Sequence, residues 1–365
     1  MATYRAPGRA NLIGEHTDHT DGLVLPAAID RAVTLEVEVG GPRIVLGSAD
    51  AEGRVDVPAD GSEAPPTGWG RYVAAVAAEL DALGRAPVGC AGELWSDLPQ
   101  GAGLSSSAAL EVVVAVALAE AGGLQLEPLE LAAACRRAEH RAVGVPSGIM
   151  DQAASILGRE GQGLLLDCGT LEYRHVPLPH DHALLVIDSG VRRQLESSGY
   201  GRRTEELRAA LPVLDGRRPA EVDPDELDGL VGGLDDVPAR RLRHVVTENA
   251  RVLRAEVALS AGDLAALGEI FAEGHASLRD DFEVSTPELD LLVDLAGEAG
   301  APAARMTGGG FGGAIIALAH NDRAEAIGAA VLDRYARRHP DLPAAAHRCH
   351  AADGARRISA QDAER

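Results

Sequence analysis

GRANLIGEHTDHTDGLVLPAAI, residues 8–29, is the stretch on which the reading of this chain turns. Arg9, Glu15, His16, Asp18 and Asp21 crowd into a short connection with strongly apolar sequence around it. A loop that only had to be soluble could use Ser, Asn or Lys. Side chains that offer paired acceptors suit a ligand made of hydroxyls, such as a sugar. A polar hairpin between two strands is the plainer alternative, and this stretch by itself does not choose.

Around it the chain has the composition of a globular protein. Its 365 residues suggest two domains with a substantial core. Hydrophobic residues make up 46% and charged residues 25%, but aromatics only 3%, so the core must be built from Ala, Val and Leu. The net charge is −22, which argues against nucleic acid or a membrane surface as partner. Every basic residue is Arg. The absence of Lys rules out a GxxxxGK[ST] phosphate loop and a Schiff-base lysine. Cys90, Cys135, Cys168 and Cys349 are dispersed, with no CxxC pair and no zinc spacing, as in a reduced cytosolic protein. The N-terminus shows no apolar signal region, and the longest apolar run, Val112 to Ala119, is far too short to span a bilayer. These features predict a cytoplasmic protein.

Alternation over 31–39 predicts a strand, and 43–48, 92–96, 163–167 and 183–188 read as further strands. Helices are predicted over 69–83, 105–121 and 128–142. After Ser189, Arg/Glu/Leu-rich helices dominate at 192–211, 239–258, 262–279 and 287–299. A strand at 314–319, a helix at 323–337 and a strand at 345–350 close the chain. This is an α+β organisation, divided near residue 180 into 1–180 and 181–365.

Two glycine-rich segments carry chemistry. In DLPQGAGLSSSAA, residues 97–109, Gly101 and Gly103 free the backbone just before three serines and an apolar helix. One Ser would suffice as a cap. Three hydroxyls at a helix N-terminus after such a turn suit a phosphate. RMTGGGFGG, residues 305–313, places five glycines around one Phe before the apolar AIIALA. So many glycines serve where backbone must approach something closely.

Two acids stand in unusual places. In the 128–142 helix, Leu131, Cys135 and Glu139 share the apolar face. A carboxylate there needs a cation, either an Arg or a metal. In GVPSGIMDQ, residues 144–152, Pro146 and Ser147 mark a helix start and Asp151 falls in an early turn. It either complements the helix dipole or accepts a proton from a substrate hydroxyl.

Taken together, GRANLIGEHTDHTDGLVLPAAI, LPQGAGLSSSAALEV and ARMTGGGFGGA resemble the three motifs of the GHMP small-molecule kinases, the first in its galactokinase form. GWGRYV at 68–73, SGIMDQ at 147–152, VRRQLESSGYGRR at 191–203, HVVTENARVL at 244–253, SLRDDFEVSTPELD at 277–290 and DGARRI at 353–358 are similar to the same branch. The resemblance implies a two-domain fold, with a ribosomal S5 domain 2-like N-terminal part and a ferredoxin-like C-terminal part. It also implies ATP-dependent phosphorylation of the anomeric hydroxyl of D-galactose with Mg²⁺; a monomer is expected, with an oligomer as the alternative. A related sugar such as L-arabinose or N-acetylgalactosamine, or a non-catalytic galactose and ATP sensor, are the alternatives.

By position, the resemblance assigns Asp151 to orienting or deprotonating the anomeric hydroxyl, and Arg9 to holding that acid and the transferring phosphoryl. Glu15, His16, Asp18, Gly148 and Tyr200 match sugar contacts. Gly101, Ala102, Gly103, Leu104, Ser105, Ser106 and Ser107 match the phosphate cradle. Ser107 and Glu139 match magnesium ligands, and Gly308 to Gly313 the loop closing the site. Asp21 receives no role. His19 stands where the family has Tyr, Ser147 where it has Cys, and few residues precede Ala6-Pro7-Gly8 where relatives carry a leading helix.

Overall fold

The opening stretch is the end of a long hairpin. Strand β1 (Ala2–Ile13) pairs antiparallel with β2 (Leu23–Val39), from Ala2 opposite Val37 to Ile13 opposite Leu25, with register shifts between Pro7 and Arg9 and between Asn11 and Ile13. The acid-rich residues form the tip, with a single 3-10 turn at Asp18–Thr20. Alternation does not reveal β1 because residues 6–13 are buried throughout. Pairing with β2 begins at Ala2.

The computed structural model describes residues 1–65, 67–99, 101–144, 147–192 and 199–359. After the hairpin come β3 (Arg43–Ser48), β4 (Val55–Pro58), helix α1 (Gly70–Ala82), β5 (Cys90–Ser96), α2 (Ser106–Ala121), α3 (Pro128–Val143), α4 (Met150–Leu157), β6 (Gln162–Asp167) and β7 (Tyr173–Pro177). Next are β8 (His182–Asp188), α5 (Gly199–Ala210), α6 (Leu227–Val231), α7 (Asp236–Ala261), α8 (Leu264–Asp280) and α9 (Pro287–Glu298). Strands β9 (Ala303–Thr307) and β10 (Ala314–His320), helix α10 (Ala324–Ala336), and strands β11 (Ala345–Cys349) and β12 (Arg356–Ile358) complete the chain.

Two sheets result. The larger runs β12-β1-β2-β5-β3-β4, with β6 joined to β2 and β7 to β6; β3 and β5 are parallel. The smaller runs β11-β8-β10-β9, and each of its pairings is antiparallel. Its connectivity is ferredoxin-like, with helices between β8 and β9 and α10 between β10 and β11. The last strand, β12, returns to the edge of the larger sheet beside β1.

The smaller sheet is covered on both faces. Leu184, Val186 and Ile316 join the core shared with the larger sheet, while Leu185, Ile187 and Ile315 enter a second core with α9 and α10. That is the period-2 alternation of a strand read out as two layers. Helix α2 is apolar all round and lies in the interior, and Glu111 is its one buried charged residue.

Two expectations need correction, and a third falls partly outside the described residues. Helix α4 begins at Met150, with Ile149 as its cap, later than Ser147; Pro146 lies outside the described residues. The Ser147 backbone N–H donates to His140 Nε2 at 2.8 Å, which holds this residue outside the helix. The helix predicted over 192–211 is seen from Gly199, and residues 193–198 lie outside the described residues. Gly262 ends α7 with a positive φ, so α8 starts at Leu264 with Asp263 capping it.

Candidate active site

The site forms where the hairpin tip, the serine loop, the start of α4 and the glycine loop after β9 converge. Arg9, near the end of β1, grips Asp151 in the first turn of α4. Its Nε donates to Oδ1 at 2.8 Å and its Nη2 to Oδ2 at 3.0 Å. Its Nη1 donates to the Gly103 carbonyl at 2.6 Å, so one guanidinium links the acid to the serine loop. Such a bidentate pair fixes orientation as well as charge.

The serine loop does not use its hydroxyls as caps. Ser105 is the N-cap of α2, in left-handed backbone geometry, and no side chain caps the helix. The Ser105 hydroxyl donates instead to Asp151 Oδ2. Ser107 Oγ lies 3.5 Å from Glu139 Oε1. Ser106 is exposed at the α2 N-terminus, where first-turn N–H groups have no intrahelical partner and suit an anion.

Glu139 has no ion-pair partner among the described residues, so the Arg salt bridge weighed from sequence is not what holds it. Its Oε2 accepts from Ser147 Oγ at 2.5 Å and from Gln152 Nε2 at 3.2 Å. Burial raises its pKa, the Ser147 hydrogen bond opposes this, and the charge of Asp151 adds to it. Ser147, where the family has Cys, therefore touches a candidate ligand.

Glu111 escapes sequence reasoning, although it is the lone acid in the apolar run ALEVVVAVALA. Its Oε2 accepts from Gln152 Nε2 at 3.0 Å, so Gln152 bridges two carboxyls from α2 and α3. Burial, then the nearby Glu139, pushes Glu111 up to about 9, a protonated acid at neutral pH.

The candidate sugar contacts divide into two groups. Asp18 lies against Gly148, where a Cβ would stand 1.9 Å from Asp18 Oδ2, so only Gly allows this approach. A cavity of about 120 Å³ opens beside them, lined also by His19, Ser147 and Arg208. Glu15 and His16 turn inward. Glu15 is 2% exposed, with Oε2 2.7 Å from Arg305 Nη2 and Oε1 accepting the Gly308 N–H at 3.4 Å. Burial pushes Glu15 up to about 7, with Arg305 opposing and the charge of Glu248 adding. The His16 ring packs on Phe282, centroids 4.5 Å apart. The Tyr200 side chain lies outside the described residues. Asp21 is exposed at the turn.

Part of the closeness the second glycine loop provides is to the chain itself. A Cβ on Gly310 would stand 2.4 Å from the Val284 carbonyl oxygen, and one on Gly312 2.7 Å from that of Val191. Phe311 sits over Gly199, the first residue of α5, and so couples that helix to the loop. Arg192, which the sequence reading passed over, brings its guanidinium against Gly101 on the serine loop.

Among the described residues no helix is long and apolar enough to cross a membrane. All four cysteines are free and buried.

Similarity to known proteins follows the same lines. Residues 2–39 match the galactokinase galactose-binding signature, 71–159 the GHMP kinases N terminal domain and 255–337 the GHMP kinases C terminal domain. The structure of Lactococcus lactis galactokinase complexed with galactose is 34% identical, with a TM-score of 0.92 over 98% of this chain and 95% of that one. Methanococcus jannaschii mevalonate kinase, 18% identical, shares the fold with a TM-score of 0.66 over 96% and 98%. So does homoserine kinase from Cytophaga hutchinsonii, 18% identical, with a TM-score of 0.63 over 98% and 97%.

Proposed function

The chain belongs to the galactokinase family of GHMP kinases, and we propose that it transfers the γ-phosphoryl group of ATP to the anomeric hydroxyl of D-galactose, giving α-D-galactose 1-phosphate and ADP. The observation that carries this reading is the Arg9–Asp151 pair, which joins the sugar hairpin to the serine loop through Gly103 and Ser105.

Asp151 would receive the anomeric O–H, orienting the oxygen and accepting its proton as that oxygen bonds to the γ-phosphorus. The bond from phosphorus to the β,γ-bridging oxygen breaks, and ADP leaves with that electron pair. Arg9 keeps the acid aimed, and stands ready for charge developing on the phosphoryl oxygens. The Gly101–Ser107 loop and the α2 N-terminus would cradle the phosphates through backbone N–H groups. Asp18, Gly148, Glu15, His16 and Tyr200 would bind the sugar hydroxyls. Positioning and charge neutralisation of this kind supply most of the catalysis in phosphoryl transfer.

Glu139 and Ser107 fit Mg²⁺. The carboxyl has a raised pKa, no cationic partner among the described residues, and one oxygen turned toward the serine hydroxyl. Bound there, the ion would neutralise phosphate charge. Four unpaired cysteines favour a reducing compartment, and we place the reaction in the cytoplasm.

The test is ADP release by the purified chain on a sugar panel of galactose, L-arabinose and N-acetylgalactosamine. Galactose is expected to be the best substrate. No turnover on galactose with turnover on another sugar overturns the choice.

A further inference from the structure

The sugar hairpin rests on a buried cluster of charges. Arg305, on β9, is 0% exposed, and its Nη2 lies 2.7 Å from Glu15 Oε2 and 2.6 Å from Glu248 Oε1. Glu248, on α7, also accepts the Gly14 N–H at 3.0 Å and Arg251 Nε at 2.8 Å. One residue beyond Gly14, the carbonyl of Glu15 accepts from His244 Nε2 at 3.1 Å. HVVTENARVL, the sequence motif to which no role was attached, is thus the platform beneath the hairpin tip.

Charges this deep are costly. A buried ion pair is often no better for stability than apolar residues of the same volume, and its better attested use is to fix one arrangement. Here the arrangement joins three elements. Glu15 comes from the hairpin, Glu248 from α7, and Arg305 from the strand that runs into the glycine loop. Two further bonds tie that strand's end to the hairpin: Thr307 Oγ1 donates to the Asn11 carbonyl at 2.8 Å, and the Gly308 N–H donates to Glu15 Oε1 at 3.4 Å.

We propose that Arg305, shared between Glu15 and Glu248, is a positioning residue that sets the Glu15 carboxylate for sugar binding and ties it to the Gly308–Gly313 loop. The proposal rests on the reading of Glu15 as a sugar contact. Because one guanidinium nitrogen serves both carboxylates, the charge on Glu248 controls how fully Arg305 serves Glu15. The groups facing the Glu15 carboxyl are Arg305 from β9, Glu248 from α7, Asn11 from β1 and the Gly308 amide, with Arg251 on Glu248 and His244 on the Glu15 carbonyl behind them. Helix α8 presents Phe271 and Gly274 to the guanidinium. His244 stays neutral, held down at about 3 by burial, so its charge does not change over the working range.

The experiment measures galactose binding to the full chain by calorimetry, without nucleotide, from pH 5.5 to 8.5. Wild type, Glu15→Gln, Glu248→Gln and Arg305→Lys are compared, with circular dichroism as the folding control. Wild-type affinity should rise with pH and level off once Glu15 is ionised, near 7. Glu15→Gln should bind weakly and show no such rise. Glu248→Gln removes the competing charge but keeps the volume, so the rise should move to lower pH by roughly half a unit or more. Arg305→Lys replaces a planar fork by a point charge and should weaken binding roughly tenfold. If Glu15→Gln binds like wild type, the sugar reading of Glu15 fails. If Glu15→Gln loses binding while the Glu248→Gln midpoint stays put and Arg305→Lys binds as wild type, the positioning role of Arg305 is overturned and the sugar reading stands.

Discussion

Arg9 and Asp151 form a two-pronged pair, Nε to Oδ1 at 2.8 Å and Nη2 to Oδ2 at 3.0 Å, across a separation of 142 residues. Asp151 also accepts from Ser105, so both of its oxygens are held before any substrate arrives. Asp151→Asn should leave the fold intact and lower kcat by about 10²–10⁴ with galactose KM changed only a few-fold, because a proton acceptor is lost and not a binding surface. Arg9→Ala should lower kcat by a similar factor. Steady-state kinetics of the two variants check this, and wild-type turnover in both would refute the assigned chemistry.

Glu139 is held by neutral donors, Ser147 and Gln152. Glu139→Gln should raise the Mg²⁺ concentration needed for half-maximal rate by roughly tenfold, the size of effect expected when a metal contact is weakened. Ser147→Ala should shift the same titration in the same direction, but less. An unaltered Mg²⁺ dependence in Glu139→Gln would remove it from the ligand set.

How far the sequence foretold this site depends on distance along the chain. Arg9, the Gly101–Ser107 loop, Glu139 and Asp151 could be singled out because each is odd where it stands: a helix face with an acid on it, or more serines than a cap needs. Strand β2 was legible from its alternation over 31–39, and helix α3 from the apolar face it carries. Strand β1 was not, because its last eight residues are buried throughout and carry no alternation. Strand β9 was hidden by the glycine motif that follows it. Glu111, Gln152 and Arg305 were missed for another reason. Their significance lies in pairings across 41, 13 and 57 residues, which no local pattern encodes. Three serines after a glycine turn read as a phosphate cradle, yet two of the hydroxyls face the acids, a contact only the fold reveals.

Gly148 tests the division between recognition and chemistry. A methyl group there would meet Asp18 Oδ2 at 1.9 Å, far inside contact distance, so Asp18 must swing away. Gly148→Ala should therefore raise galactose KM by about tenfold or more, while ATP KM stays near wild type, since displacing a hydrogen-bonding charged group costs about 1.5–3 kcal/mol. Measuring both KM values separates this from a general loss of fold, which would move them together.

Acid should loosen the sugar site from outside. Glu283 pairs with Arg241, with Arg240 at 2.9 Å and with Arg203 at 3.7 Å, beside the Phe282 on which His16 packs. Partial burial works against ionisation, but Arg241 and Arg240 prevail and hold Glu283 down at about 2. A carboxyl whose folded pKa lies below its unfolded one adds stability above the unfolded value, about 4.5, and loses it as pH falls toward the folded value. Because Glu283 is 41% exposed, solvent screening keeps each pair near 0.2–1 kcal/mol. Glu283→Gln should accordingly melt a few degrees lower than wild type at pH 7, and the gap should close between about pH 4.5 and 2. Thermal melts at several pH values decide it. A gap that stays constant down to pH 2 would show that the glutamate contributes packing and not charge.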